Sequence, residues 1–435
     1  MNSLGRYLLT LSQPICTLLY SLSIYLYMLA IIIVSPFHKK ARLLVKGHLS
    51  TFKLLRKQID PSADYVWFHA ASLGEFEQGR PLMERFRKSH PEYKILLTFF
   101  SPSGYEVRKN YDGADVVCYL PLDTPGNVLS FFRLVTPKMA FFIKYEFWMN
   151  YIMACSYRHI PVYSVSSIFR PEKIFFRWYG KAYSKNTLKK ITHFFVQDEE
   201  SARLLSSIRI RQNVTIVGDT RFDRVIDICD AAKDLPLIED FLKNNQGGTS
   251  FVCGSTWAPD EDLIIPYFNA HKDMKLILAP HVIDESHLRQ IEQKLQRPFM
   301  RYIDLVEKTK EDSSFDASSV DCLIINCFGL LSSIYRYGNL AYVGGGFGVG
   351  IHNVPEAAVY SIPVLIGPNN GRFREAQDLL RLGGCFEVND TNSFNETMDH
   401  LLTDTEALKT AGERAGKYIH GNSGASDAIF KALNL

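Results

Sequence analysis

From residue 65 onward the chain alternates short, uninterrupted apolar runs with amphipathic stretches of helical period, and this alternation restricts the fold more than any other feature. The apolar runs fall near residues 65–70, 94–99, 116–120, 139–143, 162–165, 193–196 and 215–217. A charged stretch over 219–245 and a turn at 246–248 interrupt the pattern, which resumes near 251–253, 275–279, 322–326, 340–343, 363–366 and 385–388. Runs of this kind, separated by helical stretches, predict parallel sheets wrapped on both faces, an α/β doubly wound arrangement. At 435 residues the chain is too long for one ordinary core, so two such domains in tandem are expected, over 63–222 and 223–435.

The N-terminal part obeys a different rule. No charged residue lies between Arg6 and His38, and residues 15–34 supply enough apolar positions to cross a bilayer as a helix. The run is longer than a signal-peptide core and is followed at once by HKKARLLVKGH, so residues 1–38 are expected to stay as a membrane anchor. Lys39, Lys40, Arg42, Lys46, Lys53, Arg56 and Lys57 follow with no acid among them, which directs the main body to the cytoplasmic side. With Leu43, Leu44, Phe52, Leu54 and Leu55 between these bases, the juxtamembrane segment 39–62 suits an anionic membrane surface, the alternative being a linker helix with solvated cations. A net charge of +3 gives no reason to expect a nucleic-acid partner. The eight cysteines are scattered, without CxxC or zinc spacing, as in a reduced cytosolic protein, and no metal site is expected.

Doubly wound sheets bind ligands beyond the carboxyl ends of their strands, so the loops there hold the candidate residues. After the first strand, HAASLGE leads into a helix near Glu75. Such a carboxylate is either a general base, if partly withheld from water, or a partner of the helix dipole, a role that suits Glu77 better. Ser101 and Ser103 end the second strand and suit an anion or a helix cap. After the fourth strand, Lys144 and Glu146 share one side if the strand continues, as a site or as a buried ion pair, and Trp148 offers a flat apolar surface. Arg170, with Lys173 and Arg177, makes the end of the fifth strand basic. In the second half, Ser255 and Thr256 open a helix and donate to a phosphate or cap it, while His281 is a phosphate donor or a merely exposed histidine.

The stretch 340–368 reads as a strand, a glycine turn (Gly344, Gly345, Gly346, Gly348, Gly350), a helix starting near Asn353 and a second strand closed by Gly367-Pro368. Glycines let a ligand approach the backbone, and a helix start offers N–H groups, which together suit a phosphate. The spacing is neither that of a P-loop nor GxGxxG. His352, Asn353 and Glu356 fall on the expected first turn and are able to converge on one bound molecule; otherwise Asn353 caps the helix with Glu356 at the capping-box position.

HAASLGE (69–75), SPSGYE (101–106), LPLD (120–123), KYEFWMN (144–150), a serine-rich stretch to Arg170, GDTRFD (218–223), GSTW (254–257) and GIHNVPEAA (350–358) occur in one order. In this the chain resembles the 3-deoxy-D-manno-octulosonic acid (Kdo) transferases of lipopolysaccharide synthesis. The resemblance implies a GT-B architecture, two Rossmann-like domains facing a cleft behind an N-terminal transmembrane helix, the first binding acceptor and the second donor. It implies an inverting glycosyltransferase of the inner membrane that moves Kdo from CMP-Kdo to the 6′-hydroxyl of lipid IVA, with no metal and no cofactor beyond the donor. Glu75 matches the family's general base and Glu146 its second essential glutamate. Gly344, Gly345, Gly346, His352, Asn353 and Glu356 match the CMP-binding segment, with Glu356 expected on the ribose hydroxyls, and Ser255, Thr256 and His281 fall near the donor phosphate. Ser72, Gly74, Ser101, Ser103, Lys144 and Arg170 are assigned to the acceptor side; Arg42, Lys46, Lys53, Arg56 and Arg170 are candidates for its phosphates by position. Two departures stand out: Lys144 replaces an acidic residue, and Pro280-His281 replaces Pro-Arg-His. The competing expectations are a sugar-nucleotide 2-epimerase of the same architecture, opposed by the uncharged segment, and a non-catalytic membrane-tethered nucleotide-sugar-binding protein, which has no need of Glu75.

Overall fold

The computed structural model describes residues 3–232, 234–245 and 248–435, with side chains of the first helix from Ile15 onward, so most of the turn expected at 246–248 lies outside the described residues. The chain divides into two compact units, one reaching Arg224 and including Gly424–Leu435, the other Val225–Ser423. In the first, β1 (Tyr65–Ala70), β2 (Lys94–Phe99), β3 (Val116–Tyr119), β4 (Met139–Ile143), β5 (Val162–Ser167), β6 (His193–Val196) and β7 (Val214–Ile216) form one parallel sheet in the order β3-β2-β1-β4-β5-β6-β7. In the second, β8 (Thr249–Thr256), β9 (Met274–Pro280), β10 (Phe299–Arg301), β11 (Cys322–Ile324), β12 (Leu340–Val343), β13 (Val364–Ile366) and β14 (Cys385–Glu387) give a parallel sheet in the order β10-β11-β9-β8-β12-β13-β14. The one strand not expected is β10, a three-residue edge strand paired only to β11 and too polar and short to stand out as an apolar run.

Every residue of β1 is buried, and its side chains alternate between two cores. Trp67 packs with Phe131, Phe142 and Tyr151 on one face, and Val66 and Phe68 with Phe86 and Phe141 on the other. Two N-terminal helices join this unit. Helix α1 (Ser3–Val34) contains the apolar segment Ile15–Val34 and leaves most of it exposed, including Leu18, Leu22, Leu26, Leu29 and Ile33. Its other face carries Thr17, Tyr20, Ser21 and Ile24 at helical spacing. The Tyr20 hydroxyl donates to Asp123 Oδ2 at 2.7 Å, and Asn150 Nδ2 to Ser21 Oγ at 3.3 Å. Asp123, the acid of LPLD, also accepts from the backbone N–H groups of Asn150 and Tyr151 at 3.0 and 3.1 Å.

Helix α2 (Lys39–Gln58) is more than a basic linker. Leu44, His48, Thr51 and Leu55 are buried in a stripe, and Gly47 lies so close to Tyr119 that a Cβ there would stand 2.2 Å from its ring. Its seven lysines and arginines face solvent.

The C-terminal residues require a correction: 424–435 belong to the first unit, not to the second domain. Helix α7 (Thr220–Asp230) carries the chain out of the first unit, and its Asp223 receives the N–H groups of Gly424, Ala425 and Ser426 at 2.6, 3.2 and 2.6 Å. That carboxylate anchors the N-terminus of α10 (Ala425–Leu433), whose Ile429 and Phe430 enter the core of Val66, Phe68 and Phe141. No local pattern marks a helix whose partner is 201 residues away in sequence. Phe430→Ala should lower the stability of the protein by about 3 kcal/mol, as truncation of a buried phenylalanine does. Urea unfolding checks this, and an unchanged midpoint would mean that α10 contributes no packing.

Candidate functional site

In the first sheet the chain runs outward from β1 to β2 and β3, then returns to β4 on the other side of β1. The loops after β1 and β4 therefore diverge and leave a crevice at the strand ends, where ligands bind in such sheets. Glu75 lies in the first turn of α3 (Leu73–Ser89), which starts slightly earlier than expected. Its side chain is buried, and Oε2 accepts the Ala71 N–H at 2.6 Å. The β4 loop does not continue as a strand: Lys144 adopts a left-handed backbone (φ 61°), and the Ser164 and Ser167 hydroxyls donate to its carbonyl at 3.2 and 2.5 Å. Lys144 and Glu146 are accordingly not the same-face pair that an extended strand would give. Lys144 acts instead on Glu75, and Lys173 on Glu146. Burial, then the charge of Glu146, push the Glu75 carboxyl up to about 7, against the opposing pull of the Ala71 N–H and Lys144. Burial likewise raises Glu146, offset by Lys173, whose ammonium lies 4.6 Å from the centre of the Tyr145 ring.

His69, which the sequence analysis passed over, steadies this loop. It is fully buried at the end of β1, and its Nε2 accepts from Trp148 Nε1 at 3.0 Å, so Nδ1 carries the proton and donates to Thr98 Oγ1 at 2.9 Å. Thr98 also accepts from Trp67 Nε1 at 2.8 Å, and burial lowers the His69 pKa to about 3, keeping the ring neutral. Trp148 thereby holds the start of α6 (Met149–Tyr157), directly after Glu146, with α4 (Pro102–Arg108) and α5 (Pro125–Leu134) earlier in the unit. A histidine inside an otherwise apolar strand was the available signal.

Other acceptor-side candidates have plainer roles. Ser72 is the N-cap residue of α3, and its carbonyl accepts from the Phe76 N–H. Gly74 is exposed, with no atom within 4 Å of where a Cβ would stand. Ser101 caps α4, accepting from the Ser103 N–H at 3.2 Å with the Ser103 hydroxyl 3.0 Å away, so the capping reading applies. Arg170 forms a surface pair with Glu200 at 3.5 Å. Glu77, expected to complement the helix dipole, lies beyond the first turn of α3 and pairs with Arg108 at 2.7 Å.

In the second sheet the order reverses at β8, with β9 on one side and β12 on the other. Asp260, fully buried in α8 (Ala258–Ala270), ties the two following loops together. It accepts from the Trp257 and Gly345 N–H groups, each at 2.9 Å, and from the Tyr342 hydroxyl at 2.7 Å. The glycines serve this close approach of chain to chain. A Cβ on Gly344 would lie 2.4 Å from the Ser255 carbonyl oxygen, one on Gly346 2.5 Å from Gly367 Cα, and Gly345 has φ +93°. This corrects the reading of Gly344 and Gly346 as openings for a ligand. Ser255 (φ 54°) occupies a register shift between β8 and β9. Thr256 turns inward, its hydroxyl donating to buried Glu261 at 3.0 Å, and is not available to a phosphate. Glu261 in turn lies 2.9 Å from His287 Nε2.

Trp257, His281 and His352 form a stacked column, with ring centroids 4.8 and 4.4 Å apart in succession. Trp257 Nε1 donates to His352 Nε2 at 3.2 Å, and burial, then neighbouring His281, lower the His352 pKa, which favours the neutral ring. Helix α9 (Pro355–Ala358) is only four residues long, with proline at its start, so His352 and Asn353 precede the helix rather than forming its first turn. A phosphate site built on this helix N-terminus is therefore not supported. What the loop offers is side chains: the rings, and Asn353 Nδ2 donating to Glu356 Oε1 at 2.6 Å.

Two parallel seven-stranded sheets, each with its polar loops at its own point of reversal, define the GT-B class. A UDP-GlcNAc 2-epimerase from Neisseria meningitidis bound to UDP-GlcNAc shares this fold with a TM-score of 0.57 at 16% identity, covering 85% of this chain and 99% of that one. A putative UDP-N-acetylglucosamine 2-epimerase from Listeria monocytogenes does so with a TM-score of 0.54 at 12% identity, covering 86% and 96%. At these identities the likeness concerns the fold alone. Sequence narrows it: residues 46–224 match the family described as 3-Deoxy-D-manno-octulosonic-acid transferase (kdotransferase). The 3-deoxy-D-manno-octulosonic acid transferase of Aquifex aeolicus is 27% identical over 363 residues, 82% of this chain and 90% of that protein. That of Haemophilus influenzae is 23% identical over 390 residues, 86% and 87%. Residues 46–224 thus carry the pattern of the Kdo transferase family, and the chain is similar to Kdo transferases along most of its length.

The Glu75–Glu146 repulsion is directly measurable. In a ¹³C NMR titration of carboxyl-labelled protein, Glu75 should titrate at about 7, and Glu146→Gln should move it to lower pH, because losing a like charge favours the ionised form. An unmoved titration would mean that the two groups do not interact.

Proposed function

We propose that this protein is an inverting glycosyltransferase that moves Kdo from CMP-Kdo to the 6′-hydroxyl of lipid IVA, with no metal or cofactor beyond the donor. The observation that carries this reading is Glu75: a buried carboxyl at the carboxyl end of β1, with its pKa raised to about 7. A general base is most effective when its pKa lies near the working pH. Ionised Glu75 takes the proton of the acceptor hydroxyl as that oxygen bonds to the anomeric carbon of Kdo. The bond from that carbon to the CMP phosphate oxygen breaks, and its electron pair leaves with CMP. One base suffices for a single displacement with inversion. Glu146 keeps the proton affinity of Glu75 high, and Lys144 moderates it.

The similarity to Kdo transferases supports Kdo as the transferred sugar, and CMP as its carrier is part of the proposal. In this reading Glu356, oriented by Asn353, holds the ribose hydroxyls, while His352, His281 and Ser255 lie about the donor phosphate. The exposed apolar face of α1 and the bases of α2 support a location at the cytoplasmic side of the inner membrane, where an anionic lipid acceptor is met in two dimensions.

Purified protein given CMP-Kdo and lipid IVA should release CMP and increase the mass of the lipid by one or more Kdo units; a folded sample that does neither sinks the proposal. Glu75→Ala should cut turnover by at least ~10²-fold while CMP still binds, and near-normal turnover would put the base elsewhere. Glu356→Ala should weaken CMP binding, and unchanged affinity would remove it from the donor site.

A further inference from the structure

Between α1 and α2 lies a cavity of about 220 Å³, walled by Met28 and Ile31 of the first helix, Leu44, Val45 and Phe52 of the second, and Leu122. Ile32 and Leu49, which also line it, are 45% and 79% exposed, and Ile32 is one of the exposed apolar residues of α1. His48 and Asn127 also line it. The His48 ring is 8% exposed and set against Phe100 and Tyr119, and its nitrogens, which form no well-aligned hydrogen bond, are influenced by the backbone of Phe100 and Leu120. The wall is apolar apart from these two side chains, so it suits an occupant that is hydrocarbon for most of its length and carries one polar group.

The surroundings identify the occupant. Exposed Lys39, Lys40, Arg42 and Lys46 stand along the same helix as the cavity wall, complementary to an anionic headgroup. One aromatic layer separates the cavity from the catalytic loop: Phe100 lies 5.6 Å from the His48 ring and 4.7 Å from that of Trp148, by centroids. Tyr27 of α1 is 6.3 Å from Phe100 and within electrostatic range of Glu146. We propose that this cavity receives one acyl chain of the lipid acceptor, with the ester or amide oxygen of the chain facing His48. The inference rests on the acceptor being a lipid, as proposed above, and it makes chain occupancy a determinant of acceptor choice. The anchor helix then forms one wall of the substrate site.

Two measurements on the full chain in nanodiscs test this. Steady-state kinetics should show a preference for lipid IVA over its fully deacylated form of at least about tenfold in kcat/KM, and Val45→Trp, which fills the cavity, should reduce it to within about threefold. A preference that Val45→Trp leaves intact overturns the subsite. Separately, lipid IVA carrying a diazirine near the end of one chain should, on irradiation, label peptides containing Leu44, Val45 or Leu122. Labelling confined to outward residues such as Leu18, Leu22 and Leu26 overturns it as well. If the wild type turns over neither acceptor, the transferase reading fails, and the labelling pattern alone decides the subsite.

Discussion

Taking a carboxylate out of water costs several kcal/mol unless hydrogen-bond donors replace the lost hydration, and this constraint organises both units. Asp260 has two backbone N–H groups and a tyrosine hydroxyl, and with them it fixes the geometry of the loops after β8 and β12. Asp123 has two N–H groups and Tyr20, and it secures α1; burial still raises its pKa to about 6. Asp223 has three N–H groups and secures α10. At Glu75 burial and the like charge of Glu146 outweigh the N–H groups of Ala71 and Ser72, so its proton affinity rises. A neighbouring like charge thus distinguishes the carboxyl suited to accept a proton from those that hold the fold.

Much of the architecture was legible because fully buried parallel strands leave a simple apolar signature. The strands read from that signature are the ones found, and β10 escaped because it has none. Glu75 was legible from position alone, an acid one turn into a helix at a strand end. The arrangement of its partners was not. The turn at Lys144 is set by Ser164 and Ser167 of a neighbouring strand, and the tautomer of His69 by Trp148 and Thr98, all distant in sequence. In the second unit a register shift at Ser255 turns Thr256 inward, which no alternation rule reveals. The glycines were read correctly as permitting close approach, but what approaches Gly344 and Gly346 is the chain itself.

The N-terminal segment shows how composition can hide a second role. Thr17, Tyr20 and Ser21 barely interrupt the apolar character of α1, and as a sequence they suggest only an anchor. In the structure they are a polar seam that fastens the helix to the domain while the remaining faces stay apolar. Attachment and site geometry are thereby coupled through one helix, since Tyr27 passes beside Phe100 and the glutamate loop.

The C-terminal helix carries a consequence for synthesis. Because Ile429 and Phe430 fill the core around Val66, Phe68 and Phe141, the first unit is sealed only after the whole of the second has been translated. Domains generally fold in the order they emerge, but here the earlier one must wait with an apolar hollow open. A ribosome that halts before residue 425 leaves that hollow exposed, and such a surface marks a nascent chain for chaperones and proteases. Only a chain translated through α10 hides its first core.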